Sequence, residues 1–173
     1  ELLGYANIFK INDDELIMMR EMFSIPEGND EEACKWFMDR FDLEYTILTG
    51  GATFSTIIAK DGETSTLLTP HVEVADTVGA GDSFSGSFTG KILSGASLKE
   101  AHRAAVNTAA YVCTKEGGWP TRPKAFRITS PQQPSKRIFS FHHHRFRMPS
   151  NNGMRNFFTG FAKFRRYDES PIA

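Results

Sequence analysis

The chain has 173 residues, of which 40% are apolar and 24% charged, an ordinary balance for a single globular domain with its own core. It contains no run of 18 apolar residues and no basic-then-apolar N-terminal segment, so we expect neither a membrane span nor a signal peptide. The net charge of −1 conceals an asymmetry. Residues 1–124 hold 11 Lys and Arg against 19 Asp and Glu, whereas residues 125–173 hold 9 against 2. Such a break indicates two regions of different character.

Apolar periodicity predicts strands and helices that alternate up to about residue 116. Acidic residues at 13–15 and a capping box at 97–100 mark helix starts, and the pair Asp61-Gly62 marks a hairpin turn. This alternation indicates an α/β layered sheet. The predicted strands are 5–11, 45–49, 53–59, 64–69 and 71–75, and the predicted helices are 12–23, 30–41, 81–93 and 97–116.

Residues 79–82 read Gly-Ala-Gly-Asp and lie between a predicted strand and a predicted helix. A helix N-terminus preceded by small residues offers unpaired backbone N–H groups and a partial positive charge, both of which suit a phosphate. Asp82 falls in the first helical turn, where its carboxylate could accept the proton of an attacking hydroxyl. The same four residues also fit a plain helix cap followed by a tight turn, so by themselves they leave both interpretations open.

Four segments together resemble motifs of the ribokinase/fructokinase (PfkB) family of carbohydrate kinases. Residues 76–84, Asp-Thr-Val-Gly-Ala-Gly-Asp-Ser-Phe, resemble the family's second signature without interruption. Residues 12–15 resemble its Asn-x-x-Glu motif, 49–51 its Thr-x-Gly turn at the nucleotide site, and 114–120 its closing segment near the adenine and a monovalent cation. The resemblance covers about residues 1–124. It implies a three-layer, Rossmann-like α/β fold of the ribokinase type, of which this chain would be the C-terminal half.

The resemblance implies an ATP-dependent phosphotransferase that acts on a sugar hydroxyl and uses Mg²⁺. Asp82 would be the catalytic base. Asn12 and Glu15 would organise Mg²⁺ through water molecules, although an Asn with an acid three residues on also fits a capping box. The anion hole for the γ-phosphate would consist of the backbone amides of Gly79, Ala80 and Gly81.

Further residues would bind the nucleotide and a K⁺-like ion, as the resemblance implies. The nucleotide-binding residues would be Thr49, Gly51, Asn107 and Gly117. Thr49 and Gly51 also fit an ordinary strand-end turn, and Asn107 also fits a helix surface position. Hard cations favour cages of oxygen atoms. The cage of the monovalent ion would consist of Asp76, Val78, Val112, Lys115, Gly117 and Thr121.

The resemblance stops at both ends of the chain. In the family the Asn-x-x-Glu motif lies past the middle of the chain, but here it begins at position 12, so we expect the first half, with its sugar-binding residues and lid, to be missing. We therefore expect this chain to be inactive alone. The full-length form would be a cytoplasmic homodimer that phosphorylates a small-molecule sugar, with fructose favoured. Cys34 and Cys113 show no metal or redox spacing and fit reduced cytosolic thiols.

We recognise no family resemblance in the tail, residues 125–173. It is basic and lacks a helical or strand period, and residues 131–135 read as a linker. We favour a disordered or non-native extension. His142-His143-His144 fit either a metal-ligand set or an accident of composition, and the interleaved Arg and Phe residues fit a loose nucleic-acid-binding composition. Two alternative functions therefore remain: a nucleotide-binding remnant without catalysis, and nucleic-acid binding through the tail.

Overall fold

The computed structural model describes residues 2–117 and two further strands at 139–142 and 160–164. The described residues form a 3₁₀ helix at Leu2–Tyr5, four α-helices and six strands. No helix within them is both long enough and apolar enough to cross a bilayer. In chain order the elements are β1 (Ile8–Asn12), α1 (Asp13–Phe23), α2 (Asp30–Phe41), β2 (Tyr45–Thr49), β3 (Phe54–Ala59), β4 (Thr64–Leu68), α3 (Ala80–Leu93), α4 (Leu98–Cys113), β5 (Phe139–His142) and β6 (Gly160–Phe164).

The strands form one sheet in the order β4-β3-β2-β1-β6-β5. β1 and β2 are parallel and are connected through α1 and α2, whereas the other neighbouring pairs are antiparallel. The parallel pair ends in register, with Asn12 opposite Thr49. Since the carboxyl ends of parallel strands meet at one edge of a sheet, the segments that follow β1 and β2 begin side by side.

Helices cover both faces of the sheet. The alternation along β1 decides which side chain enters which core: Phe9 and Ile11 pack in a cluster with Phe37 of α2, and Ile8 packs in a second cluster with Phe88 of α3. Each of these five side chains is at most 4% exposed. The predicted three-layer α/β architecture is therefore confirmed, with α1 and α2 on one face and α3 and α4 on the other.

The four described helices begin in two different ways. In three of them an N-cap side chain and a Glu three residues later bond to each other's backbone amides; these capping boxes are Asn12–Glu15, Asn29–Glu32 and Ser97–Glu100. Helix α3 begins instead at Gly79, which has a φ of 79° and no side chain to cap the helix. Among the described helices, α3 therefore presents its first backbone amides without a side-chain cap.

One predicted strand, at residues 71–75, is wrong, because this segment has no strand partner and adopts no regular structure. Its end is held by a helix instead: the backbone N–H groups of Ala75 and Asp76 donate to the carbonyl oxygen of Cys113 at 2.8 and 3.2 Å. A carbonyl at a helix C-terminus has no partner within the helix, so it can accept such bonds. A short segment with alternating apolar residues can thus form its backbone hydrogen bonds outside a sheet.

The structure contains two strands within the tail, where the sequence shows no strand period. β6 pairs antiparallel with β1 on the side that β2 does not occupy, with Ile8 opposite Ala162, and β5 pairs with β6. A strand edge presents unpaired N–H and C=O groups, and this pairing satisfies them for β1. The linker at 131–135 and two of the three histidines, His143 and His144, lie outside the described residues, so the separate tail region stays a prediction.

Candidate functional site

The ends of β1 and β2 carry two of the predicted site residues side by side, Asn12 and Thr49. The Asn12 side-chain oxygen accepts a hydrogen bond from the Glu15 N–H at 2.7 Å, and the Glu15 carboxylate accepts one from the Asn12 N–H at 2.9 Å. The capping box considered in the sequence is therefore present. A role of the pair in metal binding is compatible with it and stays a prediction.

Glu15 is an unusually buried carboxylate, with 5% of its surface exposed. Burial raises its pKa, while the hydrogen bond from Asn12 and the positive charge of Lys10 oppose that rise. A carboxylate in such surroundings is stabilised by any additional cation nearby. Among the described residues, no three His, Cys, Asp or Glu side chains converge so as to hold a metal ion directly.

Lys10 is a site residue that the sequence reasoning missed. It lies in β1, on the face that also carries Ile8, and its side chain is half-buried. The ammonium nitrogen is 3.4 Å from the point that a Cβ on Gly81 would occupy, which places it at the first turn of α3. Burial lowers the pKa of Lys10, and the charges of Glu15 and Asp82 oppose that shift. The sequence feature that could have revealed Lys10 as a site residue is a lysine inside an otherwise apolar strand, two residues before Asn12.

The first turn of α3 presents the predicted anion hole and the predicted base. The Ala80 N–H donates to the Thr77 carbonyl oxygen at 3.3 Å. Gly81 occupies the second helical position, whose amide has no acceptor within a helix, and Asp82 occupies the third position. The side chain of Asp82, the predicted base, is exposed. The arrangement can therefore meet an anion with the Gly81 amide, a helix dipole and a nearby ammonium.

Asp76 joins the loop before α3 to the segment after α4. One carboxylate oxygen accepts from the Val78 N–H at 3.0 Å, and the other accepts from the Gly117 N–H at 3.2 Å. Gly117 has a φ of 77°, a conformation that favours glycine. In the same segment the Val112 carbonyl accepts from the Lys115 N–H at 3.0 Å. The predicted ion-binding residues that are described thus belong to two hydrogen-bonded segments; Thr121 lies outside the described residues.

The Thr49–Gly51 region forms the strand-end turn that the sequence allowed as an alternative. The Gly50 N–H donates to the Phe54 carbonyl at 2.9 Å, and the Thr69 hydroxyl donates to the Gly51 carbonyl at 3.1 Å. Gly51 has a φ of 53°, and a Cβ on Gly50 would collide with the ring of Phe54. This well-defined turn follows directly after Thr49, and its role in nucleotide binding stays a prediction.

Asn107 lies on the exposed surface of α4. It lines a groove of about 380 Å³ beside α3, and its nucleotide role also stays a prediction. The residues that line this groove are Lys91, Lys99, Glu100, Arg103, Ala104 and Asn107.

Solved structures of kinases share this fold. Adenosine kinase from Schistosoma mansoni, in complex with 2-fluoroadenosine, is 22% identical with a TM-score of 0.61, over 70% of this chain and 38% of that one. An E. coli protein described as a ribokinase II, in complex with ATP and Mg²⁺, is 21% identical with a TM-score of 0.59, over 68% and 36%. Phosphofructokinase-2 from Escherichia coli, in complex with potassium, is 22% identical with a TM-score of 0.57, over 67% and 38%.

At these identities the likeness establishes the fold, and the chain spans only 36–38% of the length of the three kinases. A comparison with curated proteins gives no match. The sequence profile described as pfkB family carbohydrate kinase matches residues 1–125, which include all the predicted site residues. The chain therefore belongs to the pfkB family of carbohydrate kinases.

Proposed function

We propose that the complete protein transfers the γ-phosphoryl group of ATP to a hydroxyl of a sugar or sugar-like alcohol. The observation that carries this proposal is the start of α3: a helix that begins at a glycine without a side-chain cap, with Asp82 in its first turn and the Lys10 ammonium beside it. Phosphoryl transfer needs mainly positioning and fixed positive potential around the phosphate oxygens. Membership of a kinase family supports the same reaction.

Asp82 would act as the general base. Its carboxylate is exposed, so an acceptor hydroxyl can approach it, and it lies in the first turn of α3. It would accept the hydroxyl proton while the oxygen attacks phosphorus. The amides of Gly79 and Gly81 would stabilise the charge that spreads over the phosphoryl oxygens, and the Ala80 N–H would join them by exchanging its 3.3 Å bond to the Thr77 carbonyl for one to the phosphate.

Oxygen donors at the end of β1 fit Mg²⁺, which we propose as a cofactor together with ATP. Asn12 and Glu15 are the candidate ligands, acting through water molecules, and the buried carboxylate of Glu15 would be stabilised by a cation nearby. When bound, Mg²⁺ neutralises charge on the β- and γ-phosphates. Thr49 and Gly51 would line the ribose and phosphates. Asp76 and the carbonyls near it would bind K⁺, the ion with which the phosphofructokinase-2 structure is complexed.

The acceptor side of the reaction is a separate part of the proposal. We propose that these residues supply the nucleotide side and the base, that the acceptor pocket requires further residues, and that fructose is the favoured acceptor. The full-length protein would be a cytoplasmic homodimer. The adenosine kinase and ribokinase-type neighbours share this fold, so the fold itself does not select the acceptor.

Two measurements test the proposal. Calorimetric titration of this chain with Mg-ADP and Mg-ATP should detect nucleotide binding, and incubation with Mg-ATP, K⁺ and a panel of ketoses, aldoses and nucleosides should yield no phosphorylated product. A full-length version should yield product at rates on the order of 1 s⁻¹ or faster with one acceptor. Binding without transfer in the full-length version would favour a nucleotide-binding remnant. Failure of this chain to bind either nucleotide would contradict the proposed nucleotide site.

A further inference from the structure

The position of Lys10 is set by the sheet. Ile8, on the same face of β1, is 4% exposed and belongs to the cluster under α3 and α4, so Lys10 projects towards that layer near the end of the strand. Its ammonium comes within 3.4 Å of the point where Gly81 would carry a Cβ. Because Gly81 has no side chain, the ammonium can lie against the backbone of the first turn of α3.

Two carboxylates from different helices act on this ammonium. Glu15 in α1 and Asp82 in α3 both stabilise its charged form electrostatically, and burial acts in the opposite direction. Of the two carboxylates, Glu15 is buried and Asp82 is exposed. The ammonium is therefore close enough to both the candidate metal ligand and the candidate base to interact with their charges.

The helix dipole by itself disfavours a cation at this place, and the two carboxylates offset that effect. The N-terminus of a helix carries a partial positive charge, and cations are preferred at the opposite end. When an anion is bound at the start of α3, the helix dipole and the ammonium both attract it, so the repulsion between them is compensated. A lysine ammonium is a compact point charge that binds phosphate well.

We propose that Lys10 is a phosphate-binding residue that contacts the γ-phosphoryl group of ATP at the start of α3. This inference rests on the kinase function proposed above and adds to it a residue that selects ATP over ADP. Lys10 would contribute the positive charge on the β1 side of the phosphate, opposite the amides of α3. It exchanges no proton or bond during the transfer.

The test compares two nucleotides that differ by the γ-phosphate. The wild-type chain and its variants are titrated with Mg-ADP and with the Mg²⁺ complex of the non-hydrolysable ATP analogue AMP-PNP. Lys10→Met should weaken AMP-PNP binding about 10- to 100-fold and ADP binding far less, because only the former loses a charge-assisted contact. Lys10→Arg should recover much of the difference. Lys60→Met removes the same charge near the β3–β4 turn, where Lys60 pairs with Asp42, and should change neither affinity.

A measurement on the unaltered chain covers the case in which Lys10→Met does not fold, as thermal unfolding would reveal. Acetylation of lysines by an N-hydroxysuccinimide ester, followed by mass spectrometry, should be slower at Lys10 with AMP-PNP than with ADP, and unchanged at the exposed Lys60. Equal effects of both nucleotides, in titration or labelling, would overturn the role of Lys10 and leave the kinase proposal standing. A wild-type chain that binds neither nucleotide would overturn both.

Discussion

The carboxylate of Asp76 accepts a hydrogen bond at 3.2 Å from the backbone N–H of Gly117, 41 residues further along the chain. The same side chain accepts from the Val78 N–H at 3.0 Å. Asp76, the first residue of the segment 76–84 that resembles the family signature, thereby holds the segment that follows α4 against the loop that precedes α3. The two segments that the sequence assigned to a monovalent cation are joined by this contact.

Replacement of Asp76 tests two things: the contact that it makes between the two segments, and its predicted role in binding a monovalent cation. Asp76→Ala removes two backbone hydrogen bonds to a charged acceptor, so we expect the free energy of unfolding to fall by about 1–2 kcal/mol in urea denaturation. We also expect ADP binding to the variant to lose its dependence on K⁺, measured against choline at constant ionic strength. The matched control is Asp61→Ala, which removes a similar local bond to the Glu63 N–H at 2.9 Å in the β3–β4 turn. A variant that responds to K⁺ as the wild type does would remove Asp76 from the ion site.

Asp82→Asn separates proton transfer from nucleotide binding. The amide cannot accept the hydroxyl proton, whereas the backbone of α3 stays in place, so turnover by a full-length version should fall by about 10²–10⁴-fold with ADP affinity nearly unchanged. Steady-state kinetics and calorimetry measure the two quantities. Asp39→Asn, an exposed position on α2, serves as the control and should leave both unaltered. A decrease in turnover of less than about tenfold would reduce Asp82 to a helix-capping role.

Alanine at Gly79 and at Gly81 should have different effects on stability. Gly79 has a φ of 79°, a region that costs an L-residue about 1–2 kcal/mol, so Gly79→Ala should lower the free energy of unfolding by about that amount. Gly81 is inside the helix, and its added Cβ would meet the Lys10 ammonium at 3.4 Å, the end of a flexible side chain. Gly81→Ala should therefore leave stability unchanged or raise it slightly. Equal losses in urea denaturation of the two variants would contradict the assigned backbone geometry.

The buried imidazole of His102 predicts a pH dependence of stability. Its two nitrogens lie 2.8 Å from the Ser55 hydroxyl and 2.9 Å from the Ser65 hydroxyl, and burial lowers its pKa from 6.5 to about 4. Between these values the unfolded chain binds a proton that the folded chain does not. The stabilising contribution is therefore complete above pH 6.5 and is lost as the pH falls towards 4, by about 3 kcal/mol in total.

Urea unfolding of the wild type and of His102→Gln between about pH 4 and 7.5 measures this contribution as a difference in slope. Glutamine keeps hydrogen-bonding capacity but does not titrate, so the variant should lose less stability on acidification. His71→Gln, at an exposed position, controls for removal of an imidazole. Parallel pH profiles of the wild type and His102→Gln would show that the pKa of His102 is the same in the folded and the unfolded chain.

Local interactions made several elements predictable from the sequence. The capping box between Asn12 and Glu15 spans three residues, so its pattern is readable without knowledge of the fold. Helix α2 and strand β2 form over the predicted residues because their apolar periods match one buried face each. The predicted strand at 71–75 failed because a strand exists only through pairing, and the partner in this case is a helix end.

The sequence alone thus determined the four helices, the strands β1 to β4, two of the three capping boxes and the segment 76–84 that resembles the family signature, since these depend on residues close together in the chain. The tertiary structure decided which distant residues meet. Packing of α3 on the sheet brings Gly81 and Asp82 to Lys10 of β1, and the end of α4 brings Gly117 to Asp76. Such contacts arise when apolar faces are buried together, and the charged residues at their margins carry no periodic pattern that would reveal the pairing.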